Sequence, residues 1–487
     1  MSENKQKLSD KELIYQLEGK PSFKVAFPLG FQHVLAMFTG NLAPVLILVG
    51  VLKLDNDTRL RMIQCAMFVS GLTTFVQLYP IKIGKFQIGA GLPIVMGTSF
   101  AFVPTARTIG LQYLEQGPLV ALAVVLGAAA VGSIVEVIMG IFYKPLKKLF
   151  PPLVVGSVLI TIGIHLLEVG VDYFAGGAGL KIADAKAVAE ATAKGLDPST
   201  VQLQYGSLKN IALGFLVFFV IIFLQRFGKG MWKISAILIG LIVGYIAAAV
   251  TGQISFQPVF DAPLFAVPVP ILAPWDLKFP LEAVISFATI YIVSGLETIG
   301  NSNGITIAGF NREATGEETS GAILADALGS TTAVLFNALP NTAFGQNAGI
   351  VAMTKVVNKW CIAMGAFVLA GAAFLPKIGM LFNIMPASVL GGAVITVFAM
   401  ILINGIKMIA KAGFSDRNII ILGVTFGLGL GLGAHPDAVQ GLPPAISFIF
   451  KDTVACVCII SILCNIIFPP TKEDKEAAEK MVEEGDN

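Results

Sequence analysis

Apolar stretches closed by charged, Gly-rich or Pro-rich breaks recur along the whole chain. They fall near 27–51, 62–79, 90–109, 118–141, 151–169, 207–225 and 232–251. After a Pro-rich segment at 257–280 they resume near 281–307, 320–338, 344–357, 359–375, 386–405, 417–433 and 446–468. A helix crossing a bilayer takes about 20 such residues, so the pattern predicts an all-α polytopic membrane protein of fourteen spans, seven in each half. The third and tenth are the weakest, because Pro, Gly and polar side chains interrupt both. Such breaks expose backbone groups that lipid cannot satisfy, so polar chemistry is expected there.

Composition agrees with a membrane location. Hydrophobic residues make up 55% of the chain and charged residues 13%, where a soluble domain carries about 25% charged residues. The 51 glycines and 25 prolines suit transmembrane helices better than a soluble core. A net charge of +2 supplies no field for nucleic acid. Cys65, Cys361, Cys456, Cys458 and Cys464 lie in or beside apolar runs. Cys456 and Cys458 lack both C-x-x-C spacing and a second ligand pair, so all five read as reduced packing cysteines without a metal.

Charge placement sets the orientation. With both termini in the cytoplasm, about two thirds of the 33 Lys and Arg fall on the cytoplasmic side, as basic residues prefer. The clusters are Lys144, Lys147 and Lys148, then Arg226, Lys229 and Lys233, then Lys407, Lys411 and Arg417, with Lys451 on the outer side. Segment 1–24 has no apolar core resembling a signal peptide and is read as a cytoplasmic tail, like 469–487. The host membrane is read as the cell membrane. The connection 171–205 falls outside, and its Ala-rich part at 181–194 reads as an amphipathic external helix with a structural role.

Two internal echoes point to a repeat. Pro151, Val154, Gly156, Ile160 and Thr161 recur as Pro386, Val389, Gly391, Ile395 and Thr396, all shifted by 235. Leu92-Pro93 and Leu339-Pro340 open the two irregular spans, shifted by 247. An odd number of spans per half inverts the halves, and broken helices at matching places in inverted halves mark a binding site near mid-membrane.

Few charges lie inside the spans. Glu297 interrupts an apolar run, and a carboxylate at that depth costs about 2.5 to 3.5 kcal/mol on insertion scales, so it reads as a substrate or proton site. Asp326, near Gly329, Ser330 and Thr331, reads equally as a site or as a brace for the bundle. Glu136 reads as facing a packed polar partner. His33, inside the first span, is either a site residue or a satisfied core histidine. His165 reads as packing and His435 as exposed.

The stretch Gly345-Gln346-Asn347-Ala348-Gly349-Ile350-Val351-Ala352-Met353-Thr354-Lys355 resembles the signature Q-N-x-G-x-x-x-x-T-[R/K/G] of the nucleobase-ascorbate transporters, the nucleobase:cation symporters of the second type. Supporting segments agree in kind and order: 32–38, Thr98-Ser99-Phe100, 295–300, 325–329, Phe336-Asn337 and Pro340-Asn341-Thr342. The resemblance runs from about residue 25 to 468. It implies two inverted seven-span repeats, a core domain (25–141 and 281–375) and a gate domain (151–255 and 384–468). It also implies a homodimer working by an elevator motion, with short extended segments of the two broken spans pairing beside the substrate. By position it makes Glu297 and Gln346 side-chain ligands, with Phe100, Gly345 and Ser99 completing the site. His33, Asp326, Asn347, Asn301 and Thr354 take supporting or proton-coupling positions.

A xanthine or urate ring offers N–H donors beside C=O acceptors, which a carboxylate and a primary amide satisfy together. Uracil-type members resemble Glu at the first signature position, where this chain has Gln346, so xanthine or uric acid imported by proton symport is the expected activity. No cofactor beyond the coupling ion is implied. One position departs from the family. Xanthine and urate carriers usually show Asp, and uracil carriers His, four residues after the binding Glu. Asn301 stands there and cannot titrate, leaving coupling to Glu297 with Asp326, or to another ion such as sodium. Another nucleobase is one competing reading, and an anion carrier of the same plan is a second that a buried Glu297 disfavours. A membrane enzyme would need motifs such as H-E-x-x-H, G-x-S-x-G or a Walker sequence, and none is present.

Overall fold

The computed structural model describes residues 9–143, 151–194, 197, 201–442, 450 and 452–471. Lys144, Lys147, Lys148, Lys451, most of the last stretch before residue 452 and the ends of both tails lie outside them. The first half contributes α1 (Phe23–Leu52), α2 (Asn56–Leu78), α3 (Val103–Tyr113), α4 (Pro118–Gly132), α5 (Ile134–Ile141), α6 (Pro152–Phe174), α7 (Ala178–Ala193), α8 (Leu208–Phe227) and α9 (Ala236–Val250). The second contributes α10 (Leu281–Phe310), α11 (Gly316–Leu335), α12 (Gly345–Thr354), α13 (Lys359–Ala372), α14 (Pro376–Asn383), α15 (Ala387–Ala412), α16 (Asp416–Ala434) and α17 (Thr453–Ile467).

Among the described residues seven helices are long and apolar enough to cross a membrane: α1, α4 with α5, α6, α8, α10, α15 and α16. The span expected at 359–375 is α13, and the chain then bends by 80° into α14, which the sequence reading did not anticipate. Pro376 starts α14, as a residue without an N–H can at the first position of a helix but not in its interior. Helix α2 is less apolar than these seven because it turns polar side chains onto α1, α11 and α13, against which it packs. Its buried Gln64 and Gln77 donate to Ala373 O at 2.8 Å and Ala322 O at 3.0 Å.

Side-chain caps start several helices. Asp55 accepts from Asp57 N and Thr58 N at the head of α2. Thr315 and Glu318 form a reciprocal capping box on α11. Helix α7 forms inside the expected connection but carries no continuous apolar stripe: Leu180, Asp184 and Val188 are half-buried, Ala191 is buried, and its other described side chains are exposed. All five cysteines are buried and unpaired.

Both echoes are structural. Pro151 and Pro386 directly precede α6 and α15, which pack closely against each other. The approach depends on glycine: a Cβ on Gly156 would stand 2.8 Å from Gly405 O, and one on Gly391 would stand 2.2 Å from Phe174 N. The two irregular spans contain β3 (Met96–Thr98) and β4 (Asn341–Ala343), paired antiparallel with Met96 opposite Ala343 and Thr98 opposite Asn341. A separate hairpin, β1 (Ile81–Ile83) and β2 (Phe86–Ile88), turns through Gly84 at φ 59°. The sequence reading did not anticipate it, although the alternation Ile81, Ile83, Phe86, Ile88 around Gly84-Lys85 is a hairpin signal.

Candidate functional site

Where β3 and β4 end, two half-helices begin. Ser99 caps the turn Phe100–Phe102 that leads into α3, its Oγ accepting from Ala101 N at 3.2 Å. Phe344 precedes α12. The ladder extends past the strands, with Ser99 N donating to Pro340 O and Phe344 N to Val95 O, both at 2.9 Å. Helix α3 runs toward the end of the bundle where Arg107 meets Asp172, at 3.8 Å. Helix α12 runs toward the opposite end, where Val357 N donates to Ile14 O. The N-termini of both half-helices therefore meet at the centre, where their dipoles favour electron-rich ligand atoms.

A cavity of about 400 Å³ opens at this meeting point. Thr98, Ser99, Phe100 and Ala101 line it from one broken span, and Thr342, Ala343, Phe344, Gly345 and Gln346 from the other. Glu297 and Asn301 enter from α10. Glu297 is half-buried, whereas Gln346 is exposed to the open cavity. The opposite wall comes from α6, α8, α9 and α15 through Leu159, Ile162, Gln225, Ile237, Thr396, Met400 and Asn404. The Phe100 ring is held edge-on against Phe398 of α15, with centroids 5.2 Å apart.

All five expected ligand positions, Glu297, Gln346, Phe100, Gly345 and Ser99, line this one cavity. The supporting positions are spread around it. Asn301 lines it and donates from Nδ2 to Ala343 O at 2.6 Å, so its amide holds the end of β4. His33 of α1 and Asn347 of α12 are both buried, with Nδ1 and Nδ2 2.8 Å apart. An amide N–H donates here, which makes His33 Nδ1 the acceptor and puts the proton of a neutral ring on Nε2. Asp326, fully buried, accepts from the Thr298 hydroxyl and, at 3.4 Å, from Thr342 Oγ1. Thr354 does not reach the cavity; its hydroxyl donates to Ile350 O in the last turn of α12.

Sequence reasoning missed Asn41. Its Oδ1 accepts from Thr98 N at 2.8 Å, Thr98 Oγ1 at 3.0 Å and Ser70 Oγ at 2.7 Å, fixing β3 to α1 and α2. An amide inside the first apolar run was the available signal. The wall residues Gln225 and Asn404 were also missed, because a polar residue near a span end looks like an ordinary interfacial one, and Thr396 was read only as part of the repeat.

Inverted halves whose broken helices meet over a polar cavity define a membrane carrier. The fold matches the transmembrane domain of a cyanobacterium bicarbonate transporter, BicA, at a TM-score of 0.53 and 15% identity, covering 91% of this chain and 100% of that one. It also matches murine Slc26a9, an anion transporter in the inward-facing state, at a TM-score of 0.57 and 12% identity, covering 96% and 73%. At such identities the likeness shows the fold alone.

Sequence similarity is closer to another group. A model described as the Permease family matches residues 24–438. The xanthine permease XanQ of Escherichia coli is 30% identical over 94% of both chains. The uric acid-xanthine permease of Emericella nidulans is 30% identical over 96% of this chain and 85% of its own. The chain belongs to the nucleobase-ascorbate transporter family, and it is a permease rather than an enzyme.

Proposed function

We propose that the protein imports a purine dione, xanthine or uric acid, by proton symport. The observation that carries this reading is the placement of Glu297 and Gln346 on one cavity between the half-helix N-termini, with the Phe100 ring at its wall. The carboxylate accepts ring N–H groups, the amide both donates and accepts, and backbone N–H groups at the head of α12 complement the ring carbonyls. The Phe100 face stacks on the planar base. The relatives named as xanthine and uric acid permeases support the same substrate class.

The core (25–141 and 281–375) carries the broken spans and moves as an elevator against the gate (151–255 and 384–468), which forms the contact between two protomers. Both termini face the cytoplasm of the cell membrane. On that orientation the cavity is open inward. Gln225 and Asn404 line it close to Arg226, Lys407 and Lys411, at the ends of α8 and α15.

Replacing Glu297 tests the site: Glu297→Gln abolishes uptake of radiolabelled xanthine while the amount of protein in the membrane stays the same, and normal uptake rejects the assignment. Gln346→Glu shifts a competition panel of xanthine, urate, guanine, hypoxanthine, adenine and uracil toward uracil. An unchanged panel means that Gln346 does not read the base. Uptake that ignores a protonophore but follows sodium overturns proton coupling.

A further inference from the structure

The segment ahead of α1 is built into the protein. Its single turn, Asp10–Leu13, is closed onto α1 by Asp10 Oδ1, which accepts from Ser22 N at 3.1 Å. The loop so formed encloses one side chain. Asn358, fully buried, points Nδ2 into a ring of backbone carbonyls: Leu13 O and Gln16 O at 3.0 Å, Gly19 O at 3.3 Å and Glu18 O at 3.4 Å. The oxygen of the same amide starts α13, with Oδ1 accepting from Trp360 N at 3.0 Å and Cys361 N at 3.2 Å. Main-chain bonds flank it on both sides, Val357 N donating to Ile14 O and Lys359 N to Leu17 O, both at 3.1 Å. Lys359 Nζ lies 2.5 Å from Glu18 Oε1, and Lys20 stands 5.2 Å from the centre of the Trp360 ring. Ile14 packs with the cluster of Val356, Cys361 and Met364. Gly19, at φ 109°, supplies a backbone conformation that other residues adopt only under strain.

What this strap grips is the tail end of α12. That helix has ten residues, and a helix shorter than about 12 to 15 residues is marginal without tertiary support. One of its faces is open, with Gln346, Gly349, Ala352 and Met353 exposed, while the other packs against α10 and α1. Its two ends therefore matter. The head follows directly from β4 and its pairing with β3. The tail runs into 356–359, four consecutive buried residues that the strap encloses. Ten residues rise about 15 Å, so a shift at the tail reaches Gln346 as a shift of the whole half-helix. We infer that residues 10–20 form a strap that sets the position of α12, with Asn358 as its keystone, and that this segment thereby tunes how Gln346 meets the base. Asn358 lies outside the cavity lining and acts as a positioning residue. The inference rests on the reading of Gln346 as a ligand.

Two variants of the full chain release the strap from opposite sides. Asn358→Ser keeps an oxygen that caps α13 but is too short to reach the carbonyl ring. Gly19→Val strains the turn of the strap itself and leaves Asn358 in place. In hydrogen exchange on the purified protein without substrate, both are expected to speed exchange at residues 13–20 and, with it, along α12. Both are expected to raise KM for xanthine uptake about fivefold, with Vmax per transporter in the membrane close to wild type. The double variant should do no more than either alone, because both break one contact. Unchanged exchange at residues 13–20 in Asn358→Ser rejects Asn358 as the keystone. A released strap over an unchanged α12 overturns its hold on the half-helix, and a loosened α12 with unchanged KM overturns the tuning of the site. A fall in Vmax at constant KM shows a structural role only and also overturns it. A wild type that takes up no xanthine rejects the functional reading instead, and the exchange data then still decide whether the strap holds α12.

Discussion

Asn301 donates to Ala343 O at 2.6 Å, and a Cβ on Gly345 would stand 2.7 Å from its Oδ1, so the amide is packed against the end of β4 and the start of α12. Replacing it with Asp, the residue usual in xanthine carriers of the family, turns the donor into an acceptor facing another acceptor. A buried carbonyl left without its donor costs about 1 to 3 kcal/mol. A protonated Asp restores the donor. Asn301→Asp is thus expected to weaken xanthine uptake about tenfold at alkaline pH and to recover at acidic pH, which a KM series across pH checks. Asn41 presents the opposite case, a residue far from any motif. Asn41→Ala strips Thr98 N–H of its acceptor at full burial, costing about 1 to 3 kcal/mol. The melting temperature in detergent should fall, with xanthine affinity, because β3 loses its tie to α1 and α2.

The strands and half-helices show what the sequence could and could not disclose. Helices such as α1, α10 and α15 were legible because a continuous apolar run has one stable form in lipid. The two breaks were legible because Pro and polar residues stand where that form fails. What the pattern concealed was non-local. Asn301 holding Ala343 and Asn41 holding Thr98 are contacts between residues far apart in the chain, which a local periodicity does not encode. The β3–β4 contact is itself a steric matter. A Cβ on Gly97 would stand 2.5 Å from the Phe344 ring and 2.8 Å from Met37 Cε. Gly97→Val is expected to push α12 off the first broken span and abolish uptake, with membrane abundance close to wild type. Uptake near wild type would show that the strand pair tolerates separation.

At the scale of the molecule, hydrogen bonds and an ion pair join the two proposed domains at the end of the bundle that carries α7. There Tyr173 of α6 donates from its hydroxyl toward Leu46 O at 3.0 Å and Ile47 O at 3.3 Å in α1. Thr105 of α3 donates to Asp452, the cap of α17, at 2.8 Å. Asp172 of α6 joins Arg107 of α3 at 3.8 Å and Lys181 of α7 at 2.9 Å, and it accepts from the Tyr205 hydroxyl at 2.7 Å. If α7 is external, these contacts form the outer closure while the cavity opens inward. The Tyr173 hydrogen bond and the partly exposed Arg107–Asp172 ion pair are worth about 1 kcal/mol each at most, so removing both raises the outward-open population by roughly tenfold. The double variant Tyr173→Phe with Asp172→Asn should therefore expose the site from outside. In right-side-out vesicles carrying Gln346→Cys, an impermeant thiol reagent should react slowly when both closures are intact and about tenfold faster in the double variant. Equal rates in the two backgrounds would mean that these contacts do not hold the outer side shut. Fast labelling from outside in both would mean that the cavity faces the other way, reversing the orientation drawn from the basic clusters.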